Sequence, residues 1–193
     1  MTGSFTIRRA TWADVLRIGQ LHSISWRETY AGILSGDRLV RPLDDLVALW
    51  DRVLHDPPLS QSTRVLVAER SGVMVGFGAC GGQRSPVLAD AGFGGEVSAL
   101  YVLQAAQRLG IGINLMAAMA ADLAGRRFCG MGLWVLRENQ PARRFYERVG
   151  GVVVGEEEDF SGSVPVVDVA YGWPDGARNT ISLIERGNSI SLG

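Results

Sequence analysis

Short apolar runs alternate with longer amphipathic segments along this chain, and the alternation predicts its elements. Residues 5–9 read as a first strand. Thr11 then precedes a helix with Asp14 in its first turn, a capping pattern that satisfies free amides at a helix start. Val15, Ile18 and Leu21 form the apolar side of that helix. Leu46, Leu49, Trp50 and Val53 recur at i, i+3, i+4 and i+7 and mark a second helix, which Pro57 and Pro58 end. Residues 64–69 and 73–80 are extended runs separated by Ser71-Gly72, an antiparallel hairpin. The segment 81–95, rich in glycine and small residues, reads as a mobile loop. A mostly apolar strand follows at 96–102, then a glycine-punctuated turn and a helix over 110–124 with Met116, Met119 and Leu123 on one face. Residues 131–136 read as a buried strand, Pro141 opens a last helix and Gly150-Gly151 closes it, and extended runs occupy 152–157 and 164–171.

The resulting order is β, α, α, β, β, β, α, β, α, β, β, about seven strands with four helices. It predicts an α/β fold built on a mixed sheet: antiparallel strands first, a parallel pair joined by a right-handed helical crossover, then an antiparallel ending. Residues 1–174 read as a single domain without internal repeats. Residues 175–193 read as a C-terminal tail, either flexible or docking on a partner subunit.

Composition narrows the function. The 193 residues are 47% hydrophobic, enough for a packed core. Formal net charge is −1 with the two signs interspersed, so nucleic acid is excluded as the expected partner and a small molecule is favoured. With no leader-like start and no apolar run of membrane length, the expectation is a soluble, cytoplasmic chain. Cys80 and Cys129 read as reduced, half-buried thiols, and His22 and His55 belong to no zinc-ligand spacing, so no metal is expected. All 19 basic residues are arginine, which removes any Walker or Schiff-base lysine.

The most informative segment follows the fourth strand. Gln107, Gly110 and Gly112 stand at Q-x-x-G-x-G spacing just before a helix, where backbone N–H groups and a helix N-terminus can converge on a phosphate. Arg108 adds charge. The alternative is a tight strand-to-helix turn shaped by two glycines. A dinucleotide-binding turn would follow the first strand and carry a third glycine, and a P-loop would carry lysine.

This segment resembles the motif of GNAT acetyltransferases in which [RQ]-x-x-G-x-[GA] holds the coenzyme A pyrophosphate. A second family segment is similar to residues 133–151, where Asn139, Ala142, Phe145 and Tyr146 fall on an N-x-x-A-x-x-F-Y pattern. The stretches 7–11 and 25–30 also resemble small bacterial members, so the likeness spans roughly residues 5 to 173. Gln104 stands where many relatives carry proline, and Arg108-Leu109 where many carry Gly-Lys. The resemblance implies acetyl-coenzyme A as co-substrate, held by the loop from Gln107 through Arg108, Leu109, Gly110 and Ile111 to Gly112. It also implies that the fourth and fifth strands splay, freeing the backbone of Leu100, Tyr101 and Val102 for the pantetheine. Asn139 either caps its helix or contacts the cofactor; Phe145 is core or cofactor contact.

The implied reaction is N-acetylation of a primary amine of a small molecule by direct attack. An alkylammonium of pKa about 10 must first lose a proton, and Glu96, at the start of the fourth strand, is the candidate base. An exposed strand-end acid is the alternative. Tyr146 matches the family's usual proton donor to the departing thiolate; a packed core tyrosine is its alternative. Trp26, Tyr30 and the acidic run 156–158 are candidates for the acceptor side, and an acid facing the pocket would favour a cationic amine. Two further functions fit the fold: a non-catalytic acyl-coenzyme A sensor and an acetyltransferase of protein N-termini, the ribosomal-protein type. A homodimer using the tail is a further expectation.

Overall fold

The structure is a computed structural model that describes residues 4–34, 36–160 and 164–174. Its elements are β1 (Phe5–Arg9), α1 (Val15–Tyr30), α2 (Leu43–His55), α3 (Leu59–Ser62), β2 (Arg64–Arg70), β3 (Val73–Gly82), α4 (Pro86–Asp90), β4 (Gly95–Val102), α5 (Ile111–Gly125), β5 (Met131–Leu136), α6 (Gln140–Arg148), β6 (Val152–Asp159) and β7 (Val166–Trp173). The seven strands form one sheet in the order β1-β2-β3-β4-β5-β7-β6. Every neighbouring pair is antiparallel except β4 and β5, the pair that α5 connects.

Each face of the sheet has its own core. Ile111, Leu115, Met116, Met119 and Leu123 of α5 are buried with Leu133 of β5, Val169 and Tyr171 of β7, and Tyr146 and Val149 at the end of α6. Helix α5 is apolar almost all round, as a helix flanked by sheet and neighbours must be. Gly78 allows it to sit close, since a Cβ there would lie 2.8 Å from Met119 Sδ. The opposite face packs Ile18 and Leu21 of α1 and Trp50 of α2 against Phe77 and Ala99. Helix α1 starts at an anchored point: Asp14, 3% exposed, accepts from Thr11 N at 2.9 Å and from both Nη atoms of Arg8 at 2.8 Å. Arg8 thereby holds the Asp14 carboxyl well below the usual carboxylate range, against the opposing effect of burial.

Three sequence readings are corrected. Residues 81–95 are not a loose loop: β3 runs to Gly82, Ser85 Oγ caps α4 by accepting from Leu88 N at 3.4 Å, and Leu88 is fully buried with Phe93 and Ala170. With α3 and α4 the helices number six among the described residues, not four. Cys80 is buried, its thiol pushed up to about 12 by desolvation, and Cys129 is exposed, so neither is half-buried. The tail expected at 175–193 lies outside the described residues. Among the described residues no helix is long and apolar enough to cross a membrane.

Candidate active site

The parallel pair separates soon after it forms. β4 and β5 match at Gly95↔Met131 and Glu96↔Gly132, and nowhere beyond. Residues 97–102 remain bonded to β3 on one edge, so their other edge presents free backbone groups, as the splay implied by the resemblance requires. A bulge contributes to this. Ala79 pairs with Ala99 and Cys80 with Val97, leaving Ser98 as the extra residue, and such an insertion bends a strand and changes its twist. Consequently Val97 packs on the α5 side while Ala99 and Tyr101 pack on the α1 side, with Leu100 and Val102 again toward α5.

The loop leaving β4 is a built turn. Gln107 Nε2 donates to Val102 O at 3.2 Å, Arg108 adopts φ 62, and Gly110 at φ 82 is the N-cap of α5. Asn114 Nδ2 donates back to Gly110 O at 2.9 Å. The side chains of Gln107, Arg108 and Leu109 are exposed, and the first amides of α5 follow directly, an arrangement suited to a phosphate. Ile111 is 1% exposed and anchors the helix start in the core. Gly112 faces Phe145: a Cβ there would stand 3.5 Å from the ring, so α5 and α6 meet at this point.

Three tyrosines gather where the strands part. Tyr146 is 8% exposed, with its ring 5.4 Å from Phe145 and 5.9 Å from Tyr171 and Trp173. Desolvation pushes its phenol far above the ordinary range, and Tyr30 adds to the shift. Tyr101 and Tyr30 are raised for the same first reason and are coupled to each other, with hydrogen bonding from Asn139 opposing the shift at Tyr30. All three are therefore neutral donors at pH 7. Asn139, 5% exposed, caps α6 by accepting from Ala142 N at 3.3 Å, so the capping role is the one the geometry displays. Behind Tyr101, at 4.7 Å between ring centroids, His22 accepts from Trp50 Nε1 at 3.1 Å; burial lowers it to about 4 and keeps it neutral.

Tyr30 also opens onto a cleft of about 320 Å³ on the α1 face. Trp26 and Tyr30 of α1 line one side, their rings 4.3 Å apart, so Trp26 is a wall of the cleft rather than part of the core. Leu34, Arg38 and Arg41 come from the segment after α1, residues 134–136 from β5, and Asp159, Val166 and Asp168 from β6 and β7. Arg38 Nη1 donates to Asp159 Oδ2 at 2.8 Å, and Trp26 Nε1 donates to Arg38 O at 3.3 Å. Arg41 lies 4.0 Å over the Trp26 ring. Glu157 and Glu158 line an adjoining hollow with Phe160, whereas Glu156 pairs with Arg137.

Glu96 differs from the sequence expectation of an available base. Arg84 binds both of its carboxylate oxygens, Nε to Oε2 at 2.9 Å and Nη2 to Oε1 at 2.7 Å, and Glu96 is not part of the cleft wall. It stands at the closed end of the strand pair, level with Gly132. The cleft residue Leu136 is about 13 Å farther along β5 at strand rise. Asp168 and Arg41, which do line the cleft, escaped the sequence reading. The available signal was an acid inside an apolar run, Val166-Val-Asp168-Val, in a strand flanked on both sides. Among the described residues no group of three or more His, Cys, Asp or Glu could hold a metal ion.

Comparison with known proteins agrees with this layout. Residues 19–151 match the acetyltransferase (GNAT) family. The chain is 34% identical over 172 residues to the uncharacterized N-acetyltransferase YuaI of Bacillus subtilis (strain 168), covering 88% of this chain and 93% of YuaI. In fold it is similar to the PaiA N-acetyltransferase of Thermoplasma acidophilum in complex with coenzyme A, with a TM-score of 0.64, 19% identity, and 88% and 99% of the two chains covered. It is also similar to a ribosomal-protein-alanine N-acetyltransferase of Brucella melitensis, with a TM-score of 0.66, 20% identity, and 88% and 99% covered.

Proposed function

This chain belongs to the GNAT acetyltransferase family and depends on acetyl-coenzyme A, and on that premise we propose that it acetylates a primary amine of a small molecule by direct attack. The observation that carries the reading is the cleft on the α1 face, lined by Asp159, Asp168 and Tyr30 and by the end of β5 beyond its pairing with β4. The free edge at 97–102, with Leu100, Tyr101 and Val102, suits the pantetheine amides; the turn from Gln107 to Gly112 suits the pyrophosphate. Asn139 caps α6, and Phe145 stands where α6 meets α5 at Gly112. Bound there, acetyl-coenzyme A supplies an activated acyl group as a thioester.

The residues then divide the proton work. Of the two protons that the acceptor ammonium sheds, one leaves through a carboxylate to solvent and the other restores Tyr146, which gives its own proton to the departing sulfur as the new C–N bond replaces C–S. Asp168 is the carboxylate within the cleft. Glu96 reaches the reacting atoms only through water and after release from Arg84. We expect Asp168→Asn to cut kcat/KM about tenfold or more and Glu96→Gln to cut it less, both read by thiol release. The fold raises the Asp168 carboxyl, chiefly by burial and then by the charge of Asp159. A carboxyl raised on folding binds protons on folding, so its ionised form weakens the fold near neutrality and the cost fades as pH falls. Asp168→Asn should therefore melt no lower than the wild type at pH 7 while losing activity. The reverse pattern, lower melting with full activity, would make Asp168 structural.

The turn is tested separately. Gly110→Ala forces a side chain into φ 82 and should cost about 1 kcal/mol locally. Acetyl-coenzyme A binding should weaken several-fold with kcat little changed, whereas Gly112→Ala meets only ordinary contact with Phe145.

The deciding experiment is calorimetric titration with acetyl-coenzyme A and coenzyme A, followed by thiol release over amines, polyamines and amino acids. Binding with amine-dependent release supports the enzyme. Binding with no release from any amine favours an acyl-coenzyme A sensor. Release only with peptides favours the protein N-terminal reading, which the Brucella melitensis neighbour keeps in play.

A further inference from the structure

We propose, resting on the small-amine reading above, that the acceptor is a zwitterion of the α-amino acid type, its carboxylate held by Arg41 and its ammonium by Asp168. Both side chains line the one cleft. The other two charges in that wall, Arg38 and Asp159, already face each other at 2.8 Å. Arg41 and Asp168 are different: among the described residues neither side chain has an ion pair or a hydrogen bond.

Arg41 is nevertheless placed. Its guanidinium stands 4.0 Å over Trp26, whose ring is 4.3 Å from Tyr30. An arginine held over an aromatic face keeps its N–H groups for a planar anion, and a carboxylate matches their spacing. Asp168 is half-buried in β7; the charge of Arg38 reaches it, but Arg38 is paired with Asp159, so an incoming ammonium would be the cation that Asp168 itself binds. Tyr30 lines the same cleft as both charges, and its phenol feels each, raised by Asp168 and lowered by Arg41. Leu34, Trp134 and Val166 leave an apolar wall for the acceptor's side chain.

Other amines fit less well on charge alone. A polyamine would bring a second cation toward Arg41. A peptide N-terminus would offer Arg41 a neutral amide in place of a carboxylate. Like-charge contact and an unpaired charge both reduce affinity.

The test is a panel of the common L-amino acids, each beside its own amide and its decarboxylated amine, with spermidine added, read by thiol release. The best amino acid should exceed its amide in kcat/KM by about tenfold or more, the loss expected for one charge-assisted contact. In Arg41→Gln that ratio should fall toward one, with the melting temperature unchanged because Arg41 is exposed. An amide or spermidine equal to the best amino acid, or a preference that survives Arg41→Gln, overturns the proposal but leaves small-amine acetylation standing. If no amine is turned over, the same amino acids are titrated calorimetrically into coenzyme A-saturated protein. Binding that Arg41→Gln abolishes sustains the zwitterion site while removing the catalytic reading; no binding removes the proposal.

Discussion

Tyr146→Phe is expected to lower kcat about a hundredfold or more while leaving coenzyme A affinity within about twofold. The change removes one oxygen and keeps the ring, whose neighbours Phe145, Tyr171 and Trp173 hold it at 5.4 to 5.9 Å. Packing is therefore preserved and only the proton is lost. Desolvation raises the Tyr146 phenol far above its ordinary pKa of about 10, so it keeps its proton at every pH at which enzymes are assayed. If Tyr146 is the donor, the wild type shows no alkaline fall in kcat through about pH 10 from this group. Thiol release at saturating substrates measures the first effect and calorimetry the second. A loss of less than about threefold would leave Tyr146 as a core residue whose hydroxyl takes no part.

The largest stability effect is expected at Gly172, on the strand between β5 and β6. A Cβ there would run into the ring of Phe93, an aromatic that is itself fixed: its backbone N–H donates to Leu88 O at 3.0 Å and its ring packs with Leu88 and Ala170. Because that ring has nowhere to go, Gly172→Ala should cost about 3 kcal/mol by overpacking. For a chain of this length the melting temperature should drop by about 8 °C. Gly32, with nothing within 4 Å of a Cβ and no positive φ, is the control, and Gly32→Ala should melt with the wild type. Equal melting of both variants would mean that the small cluster under α4 yields without cost.

The two glycine positions also show what a sequence can and cannot disclose. Strands and long helices were legible because their pattern is local: Leu46, Leu49, Trp50 and Val53 repeat at helical spacing whatever they later touch. Helix α4 was obscured by composition. The glycines and small residues of 81–95 around it read as a loop, although Ser85-Pro86 carries a cap and a first-turn proline, and Leu88 is the one residue of the helix that the fold buries completely. The turn from Gln107 to Gly112 and the position of Tyr146 were legible because each stands in a contiguous motif. Asp168 and Arg41 were not, since what makes them notable is that the fold brings them to one cleft from more than a hundred residues apart, with neither side chain in an ion pair among the described residues, and no window reveals that. Glu96 illustrates the converse. Its position in the strand was read correctly, but its freedom was not, because Arg84 reaches it from a segment that composition had marked as loose.

The bulge at Ser98 has a wider consequence. By turning one strand partway along, it gives Val97, Leu100 and Val102 to the α5 face and Ala99 and Tyr101 to the α1 face, so that on the proposed reading β4 serves a different reagent from each side. Elements on the α1 face, the segment after α1 and the β6–β7 end, can thus be exchanged by mutation without disturbing the opposite face, and elements around α5 can stay fixed. A lineage built on this plan can change what it modifies without having to reinvent what it modifies with.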